Sequence, residues 1–314
     1  MSAGLRVGVD VGGTKVLAAL LDGSQVIGQS RRDSVPGHDG VLAAVAATVR
    51  EVCAAAGVAP ADLEGVGVGV PGLVDPVAGV VSHAVNLGIV EPLALADLLG
   101  AELGVPVVVG NDLNVAALGA ARLLGLGGDL ALLALGTGLA AGLVLDGRLR
   151  RGATGAAGEV GHVTYRPDGP ICSCGQRGCL ELYASGSALD AAWESRSGRP
   201  VPAEVFEAAA DGDPTAVALR DAFADAVAAA VLVLVLSTDV EHVVLGGGVA
   251  GVGPALLDAV SDALTRRAAS SAFLRSLAVP DRLALVPGGA PVGPVGAALA
   301  VLPRTRTTEV SWRS

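Results

Sequence analysis

Short apolar runs, separated by turns rich in glycine, recur along the whole chain. Leu5–Val11 and Gly65–Val70 are such runs, and each ends at glycine or proline, so both predict buried strands. Further strands are predicted at 16–21, 25–30, 105–109, 129–135, 140–145, 243–245 and 283–286. Longer segments predict helices at 40–56, 92–103, 115–124, 203–210, 214–236 and 295–302. Strands that alternate with helices indicate an α/β fold.

One supersecondary unit occurs twice. Residues 11–23 align without a gap on residues 135–147, and each copy reads apolar strand, Gly/Thr loop, apolar strand and Asp-Gly turn. We call Gly12, Gly13 and Thr14 the first glycine loop, and Gly136, Thr137 and Gly138 the second glycine loop. The recurrence predicts two related domains that face one another across a cleft. Loops of this kind let backbone N–H groups approach phosphate, and Asp10, at the end of the first strand, can hold magnesium.

Composition removes several classes of function. The net charge is −10 and no basic cluster interrupts it, so we expect no nucleic-acid partner. The mean hydropathy is high, at +0.61, but the longest apolar run, residues 226–236, falls short of the roughly 20 residues of a membrane span. Charged residues occur too early for the apolar region of a secretory signal peptide, at Arg6, Asp10 and Lys15, which is the sole lysine. These observations predict a cytoplasmic protein without a membrane partner.

The densest group of metal-binding residue types lies between Gly158 and Glu181. His162, Cys172, Cys174 and Cys179 provide a Cys₃His set that suits tetrahedral zinc. So few cysteines do not suit a disulfide framework, and a redox pair has the spacing Cys-x-x-Cys rather than Cys-x-Cys. The fourth cysteine, Cys53, lies in an apolar helical segment and is predicted to be core. Glu159 and Glu181 flank the set, so we predict that the metal shapes a polar pocket.

Polar residues follow the strand at 105–109, where a helix is predicted to begin. Helix capping explains Asn111 or Asp112, but not both together with Asn114. The carboxyl end of a buried strand is where open α/β sheets bind ligands. Residues 67–72 match the dinucleotide pattern Gly-x-Gly-x-x-Gly, yet Pro71 and the following Asp75-Pro76 predict a turn instead of the required helix. We therefore interpret these glycines as allowing a sugar-sized ligand to approach the backbone.

Together these motifs resemble the ROK family (repressors, open reading frames and sugar kinases). The resemblance rests, in order along the chain, on 10–15, 67–72, 111–112, 136–138, the Glu-x-Gly-His motif at 159–162 and the cysteine loop. It implies a two-domain actin-like, hexokinase-like (ribonuclease H-like) α/β fold with an interdomain active-site cleft. The smaller domain would comprise residues 1–115 plus about 298–314, and the larger one, about 116–297, would carry the zinc loop.

The resemblance also implies roles for individual residues. Asp112 would be the general base. The sugar hydroxyls would be held by Asn86, Asn111, Asp112, Glu159, His162 and Glu181. ATP with Mg²⁺ would be bound by Asp10, Gly12, Gly13, Thr14, Lys15, Gly136, Thr137, Gly138, Gly246, Gly247 and Gly248. Zinc on one ring nitrogen of His162 would aim the other nitrogen at the sugar.

Within the family, Glu-x-Gly-His is similar to the glucose-phosphorylating members. We therefore expect an ATP-dependent kinase for the 6-hydroxyl of a hexose, above all glucose, in a homodimer or homotetramer. The alternatives are mannose, N-acetylmannosamine or another hexose, polyphosphate as donor, or a sugar-binding regulatory protein without catalysis. A repressor would need a helix-turn-helix ahead of the first strand, where only four residues precede Leu5. Ala140 and Ala141 stand where the family usually has glycines; their methyl groups either narrow the phosphate approach or sit in the strand.

Overall fold

The chain folds into alternating strands and helices. The computed structural model describes residues 4–195 and 197–301. The strands are β1 (Leu5–Val11), β2 (Lys15–Asp22), β3 (Gln25–Asp33), β4 (Gly65–Val70), β5 (Leu73–Asp75), β6 (Val80–Ser82), β7 (Val107–Asn111), β8 (Leu130–Leu135), β9 (Leu139–Leu145), β10 (Arg148–Arg150), β11 (His242–Gly246) and β12 (Leu283–Leu285). The helices are α1 (His38–Ala55), α2 (Leu95–Leu103), α3 (Asp112–Leu124), α4 (Glu181–Ala184), α5 (Gly186–Ala192), α6 (Val201–Ala210), α7 (Pro214–Thr238), α8 (Pro254–Ala268), α9 (Ala272–Ser276) and α10 (Val292–Ala300).

The two halves of the chain form five-stranded sheets with the same topology. The first sheet has the order β3-β2-β1-β4-β7, and the second has the order β10-β9-β8-β11-β12. In each sheet the first three strands form an antiparallel meander, and two parallel strands extend it on the other side. The internal repeat predicted from the sequence is therefore confirmed at the level of whole sheets.

Most predicted elements are present. The apolar run 226–236 lies within α7, which Asp213 caps by accepting hydrogen bonds from the backbone N–H groups of Thr215 and Ala216. Within residues 4–195 and 197–301, no helix is long and apolar enough to cross a membrane. The sequence pattern missed α8 and α9, and the C-terminal tail from Leu302 lies outside the described residues.

Strand β4 alternates glycine and valine because its two faces pack differently. Val66, Val68 and Val70 are buried in the core of the first half. On the opposite face, a Cβ built on Gly67 would lie 1.8 Å from the carbonyl oxygen of Ala297 in α10. A Cβ built on Gly8 of β1 would lie 1.8 Å from the carbonyl oxygen of Pro294, one turn earlier in the same helix. The interpretation that Gly67 admits a sugar is therefore wrong, because this glycine admits the backbone of α10.

Helices α10 and α3 also touch through glycines. A Cβ on Gly296 would lie 1.6 Å from the carbonyl oxygen of Val115, and one on Gly119 would lie 1.8 Å from that of Val292. Both predicted domain boundaries, at 115/116 and near 297/298, fall inside these two helices. The division into domains stays a prediction, and α3 and α10 are the segments that would connect them.

Replacing Gly296 with alanine tests this helix contact. The new methyl group would overlap backbone atoms of α3, which cannot rotate away, so we expect a loss of about 1–3 kcal/mol or more in the free energy of unfolding. Gly100→Ala in α2 is the control, because its Cβ would lie 3.5 Å from its nearest neighbour, an ordinary contact. Denaturant unfolding measures both; equal stability of the two variants would contradict the close packing.

Candidate active site in the cleft

The carboxyl ends of β1, β4 and β7 bring two aspartates together. Asp10 on β1 pairs with Gly69 on β4, which in turn pairs with Gly110 on β7. Asp112 follows two residues later as the first residue of α3. The intervening Gly69 carries no side chain, and a Cβ built there would lie 3.4 Å from the Cα of Asp112. No side chain of β4 therefore separates the carboxylates of Asp10 and Asp112.

Both carboxylates have raised pKa values. Burial and the charge of Asp112 raise the pKa of Asp10 from 3.8 to about 6, against the opposing charge of Lys15. Burial also raises the pKa of Asp112, although the backbone N–H of Leu113 donates a hydrogen bond to it at 2.8 Å. Two buried carboxylates with raised pKa values are typical of a site that binds a cation or accepts a proton.

The first glycine loop is a tight, accessible turn between β1 and β2. The N–H of Gly12 donates to the carbonyl oxygen of Lys15 at 2.9 Å, while Gly13, Thr14 and Lys15 are exposed. A Cβ on Gly13 would lie 3.4 Å from Asn86, so this predicted sugar residue lies beside the loop. Exposed backbone N–H groups, a hydroxyl and an ammonium group suit an anion such as phosphate.

A cavity of about 360 Å³ lies between the two halves of the chain. Asn111 lines it from the first half and Glu159 from the second. Asn111 also caps α3, accepting a hydrogen bond from the N–H of Asn114 at 3.2 Å, and its amide donates to the carbonyl oxygen of Gly72 at 3.4 Å. The capping interpretation therefore holds for Asn111 and leaves Asp112 for another role.

The second glycine loop is held by the segment that follows the cysteines. The N–H of Leu139 donates to Oε2 of Glu181 at 3.0 Å, and the N–H of Gly186 donates to the carbonyl oxygen of Gly136 at 2.6 Å. Glu181 thus contacts the predicted donor loop as well as flanking the metal loop. Ala140 and Ala141 lie in β9, and the backbone of Ala141 pairs with Gly158. Ala141 also lines the cavity, so the effect of the two methyl groups on the phosphate approach stays an open prediction.

A third glycine segment, residues 246–248, lies beside the second glycine loop. Strands β8 and β11 are parallel neighbours, so Gly246 and Leu135 end at the same edge of the sheet. Gly247 has φ +81°, and a Cβ there would lie 2.6 Å from the carbonyl oxygen of Leu135. Only glycine fits this conformation and contact. The predicted adenosine residues therefore adjoin the predicted phosphate loop.

Backbone pairing folds the cysteine loop so that its four candidate ligands meet. Thr164 bridges to Cys179, which brings His162 and Cys179 to one end of the loop. Cys172 and Cys174 lie in a tight turn that ends at Gly175 with φ +89°. The ligand atoms of all four residues lie within 4.8 Å of one another.

These ligand atoms fit a tetrahedral zinc ion. The Cys174 and Cys179 sulfurs are 3.7 Å apart, and Zn–S bonds of about 2.3 Å require about 3.8 Å between sulfurs. The N–H of Gln176 lowers the pKa of Cys174 to about 7, whereas burial and neighbouring thiols raise the pKa of Cys179. A bound cation would stabilise both thiolates and reduce the repulsion between them. All four cysteines of the chain are free thiols, and Cys53 is buried in the core as predicted.

The two ring nitrogens of His162 face different groups. Nδ1 lies 3.9 Å from the sulfur of Cys172, on the side of the metal cluster. Nε2 lies 3.9 Å from Oε2 of Glu159, which lines the cavity. This arrangement fits zinc on Nδ1 with Nε2 directed to the pocket.

Some residues at the site carried no sequence signal. Gly293 beside Asp10 is an ordinary glycine in an apolar segment, whereas Gly69 between the aspartates belongs to the motif at 67–72, which indicated a ligand contact and not this one. Arg151, Thr154 and Gly155 form part of the cavity wall. The concentration of small residues before Glu159 could have indicated a ligand loop, whereas the contacts of Gly69 and Gly293 depend on the tertiary fold.

The metal content of Cys179→Ser tests the zinc cluster. We expect one zinc ion per chain in the purified wild type. The variant should contain no zinc and should melt at a lower temperature, because loop folding and metal binding are coupled. Elemental analysis and thermal unfolding measure both quantities. Cys53→Ala, which removes a thiol far from the loop in sequence, should keep its zinc. A metal-free wild type, or a variant that retains zinc, would refute the assignment.

The raised pKa of Asp10 predicts that this residue destabilises the fold at neutral pH. Its folded-state pKa of about 6 exceeds the unfolded value of 3.8, so ionised Asp10 costs up to about 3 kcal/mol above pH 6, and this cost disappears as the pH falls toward 3.8. Without Mg²⁺, Asp10→Asn should therefore be more stable than wild type at pH 7.5 and lose that advantage near pH 4. Asp190→Asn, an exposed aspartate on α5, controls for the acidic net charge. An advantage independent of pH would contradict the prediction.

Known proteins share both the sequence and this architecture. The ROK family model matches residues 6–289. A glucokinase of Halalkalibacterium halodurans is 34% identical over 280 residues, covering 82% of this chain and 84% of that protein. An N-acetylmannosamine kinase of Vibrio cholerae serotype O1 is 31% identical over 261 residues, covering 82% and 88%.

A solved structure agrees over nearly the whole length. The ROK family glucokinase from Streptomyces griseus, crystallised with glucose and AMPPNP, is 33% identical and has a TM-score of 0.76. The match covers 95% of this chain and 99% of that chain. The predicted fold class is confirmed by this likeness and by the two matching sheets. The chain belongs to the ROK family of sugar kinases and has their actin-like α/β fold.

Proposed function

We propose that this protein is an ATP-dependent hexokinase that phosphorylates the 6-hydroxyl group of glucose. The observation that carries the proposal is the pair Asp10 and Asp112, which lie on either side of Gly69 at the strand ends next to the cleft. Phosphoryl transfer needs a held metal, a base and positioned phosphates, and this pair can supply the first two. The glucokinases among the relatives support glucose as acceptor.

Asp112 acts as the general base in this proposal. It accepts the proton of the sugar hydroxyl while that oxygen attacks the terminal phosphorus of ATP, the bond from this phosphorus to the bridging oxygen breaks, and ADP leaves. Its raised pKa makes the carboxylate a better proton acceptor at neutral pH. The remaining hydroxyl groups are held by Asn86, Asn111, Glu159, His162 and Glu181. Asn111 and Glu159 line one cavity from opposite sides, so a sugar between them would connect the two halves.

The glycine loops and Asp10 bind the donor. The first and second glycine loops offer N–H groups and hydroxyls to the phosphates, with Lys15 adjacent, and Gly246, Gly247 and Gly248 flank the adenosine. Asp10 would hold Mg²⁺, which when bound neutralises negative charge on the phosphates. Zinc on His162 and the three cysteines orders the loop that carries Glu159 and Glu181, and takes no part in the transfer.

A second hexose is supported by a specific relative and by the pocket. The Vibrio cholerae protein that is 31% identical is an N-acetylmannosamine kinase. The cavity of about 360 Å³ has an apolar wall that includes Leu73, Val74 and Pro76, which would accept an acetyl group. Mannose or another hexose, polyphosphate as donor, and sugar binding without catalysis remain rival proposals. We also infer from the family a homodimer or homotetramer, which light scattering would test.

A hexose panel tests the proposed reaction. ADP release from ATP and Mg²⁺ is measured with glucose, mannose, N-acetylmannosamine and fructose, and sugar phosphate formation is measured with polyphosphate in place of ATP. We expect the highest kcat/KM for glucose with ATP. If kcat/KM is highest for N-acetylmannosamine, that sugar replaces glucose as the proposed substrate. Turnover with no hexose and no donor, together with measurable sugar binding, would favour the regulatory alternative.

Replacing Asp112 with asparagine tests the base. Asparagine preserves the shape but cannot accept the proton, so kcat should fall by about 10²–10⁴-fold. Calorimetric binding of glucose should persist, since the other sugar-binding residues remain. Asp97→Asn, at an exposed position on α2, should keep wild-type kcat. Wild-type kcat in the Asp112 variant would exclude this residue as the base.

A further inference from the structure

The first turn of α10 lies against the side chain of Asp10. Gly293 is the second residue of this helix and is buried. A Cβ built on Gly293 would lie 2.7 Å from the carboxyl carbon of Asp10 and 2.8 Å from its Oδ2. Atoms in folded proteins do not approach this closely, so any side chain at position 293 would compete with the Asp10 carboxylate for the same space.

The helix cannot yield to relieve that overlap. Gly8 on β1 and Gly67 on β4 each bring the sheet backbone against α10, with virtual Cβ atoms 1.8 Å from the carbonyl oxygens of Pro294 and Ala297. On α3, the backbone of Val115 abuts Gly296. The carboxyl group of Asp10 can move by rotation about two side-chain bonds, and the Cβ atom of Asp10, which would lie 3.0 Å from a Cβ built on Gly293, needs to give by only a few tenths of an ångström. A methyl group at 293 would therefore displace the carboxylate and leave the fold in place.

The same helix contacts the element that carries Asp112. Gly296, one turn beyond Gly293, meets α3 at Val115, in the turn that begins with Asp112. Gly293 thus contacts Asp10 directly, while Gly296 fixes the distance to the start of α3. We propose that Gly293 is a positioning residue, which sets the place of the Asp10 carboxylate relative to Asp112. The inference rests on the proposed kinase reaction.

The results expected for Gly293→Ala differ between a glycine that serves only helix packing and one that positions Asp10. If the glycine served only helix packing, as Gly296 does, the substitution would lower the melting temperature. If it positions Asp10, the variant should melt at or above the wild-type temperature, because alanine favours helix more than glycine does. Its kcat should then fall at least tenfold, since displacing a reacting group by about 1 Å costs about 10²-fold.

The experiment compares wild type, Gly293→Ala and the helix control Gly100→Ala. We measure kcat with glucose and ATP, glucose affinity by calorimetry without a donor, and the melting temperature. The expected result is a fall in kcat in Gly293→Ala alone, with glucose affinity within twofold of wild type. Unchanged kcat, or a lowered melting temperature, overturns the inference.

A double-mutant cycle with Asp10→Asn and a crystal structure of Gly293→Ala complete the test. In the Asp10→Asn background the alanine should lower kcat no further, because its effect passes through that carboxylate. The crystal structure should show the Asp10 carboxylate displaced; an unmoved carboxylate also overturns the inference. If the wild type turns over no hexose, the proposed function fails, and the carboxylate position alone then decides the role of Gly293.

Discussion

The contact that the rest of this structure depends on is the backbone-to-backbone packing of α10 against the first sheet and α3. Glycines on all three elements remove the side chains that would hold them apart. The helix can therefore reach the strand ends, where Gly293 meets Asp10, and can touch the turn of α3 that begins with Asp112. Two carboxylates with raised pKa values therefore lie at strand ends that are positioned by backbone contacts of one helix.

The second sheet repeats the topology of the first but secures its glycine loop differently. Each loop closes with a backbone hydrogen bond of its own, and Ser34 also donates to Thr14 of the first loop. The second loop is bonded in addition to the carboxylate of Glu181 and to Gly186, just beyond the candidate metal ligand Cys179. The metal loop therefore supports two regions at once: Glu159 in the cavity wall and the predicted donor loop at the end of β8. Disturbing this loop would affect the predicted sugar and donor sites together, a coupling that the linear order of the motifs does not reveal.

Local chemistry made much of the fold and site predictable. Apolar runs separated by glycine-containing turns predicted the three strands of the first meander and the first two strands of the second, and the Cys₃His spacing predicted the cluster that the structure assembles. The failures concern long-range contacts. Gly67 looks the same in sequence whether a sugar or a helix covers it. The apolar stripe of α8, at Leu256, Val260, Ala263 and Leu264, is present in the sequence, but it stands among charged residues and was not assigned to a helix. The contact between Gly293 and Asp10 joins opposite ends of the chain, so no local pattern could predict it.

The central claim is that Asp112 takes the proton from the hydroxyl group that attacks the donor. A crystal structure of the wild-type protein with glucose, Mg²⁺ and a non-hydrolysable ATP analogue tests it most directly. We expect the 6-hydroxyl oxygen to lie about 2.6–3.2 Å from a carboxylate oxygen of Asp112 and in line with the terminal phosphate. A 6-hydroxyl group that points away from Asp112, beyond the reach of a hydrogen bond or one bridging water, would exclude Asp112 as the general base.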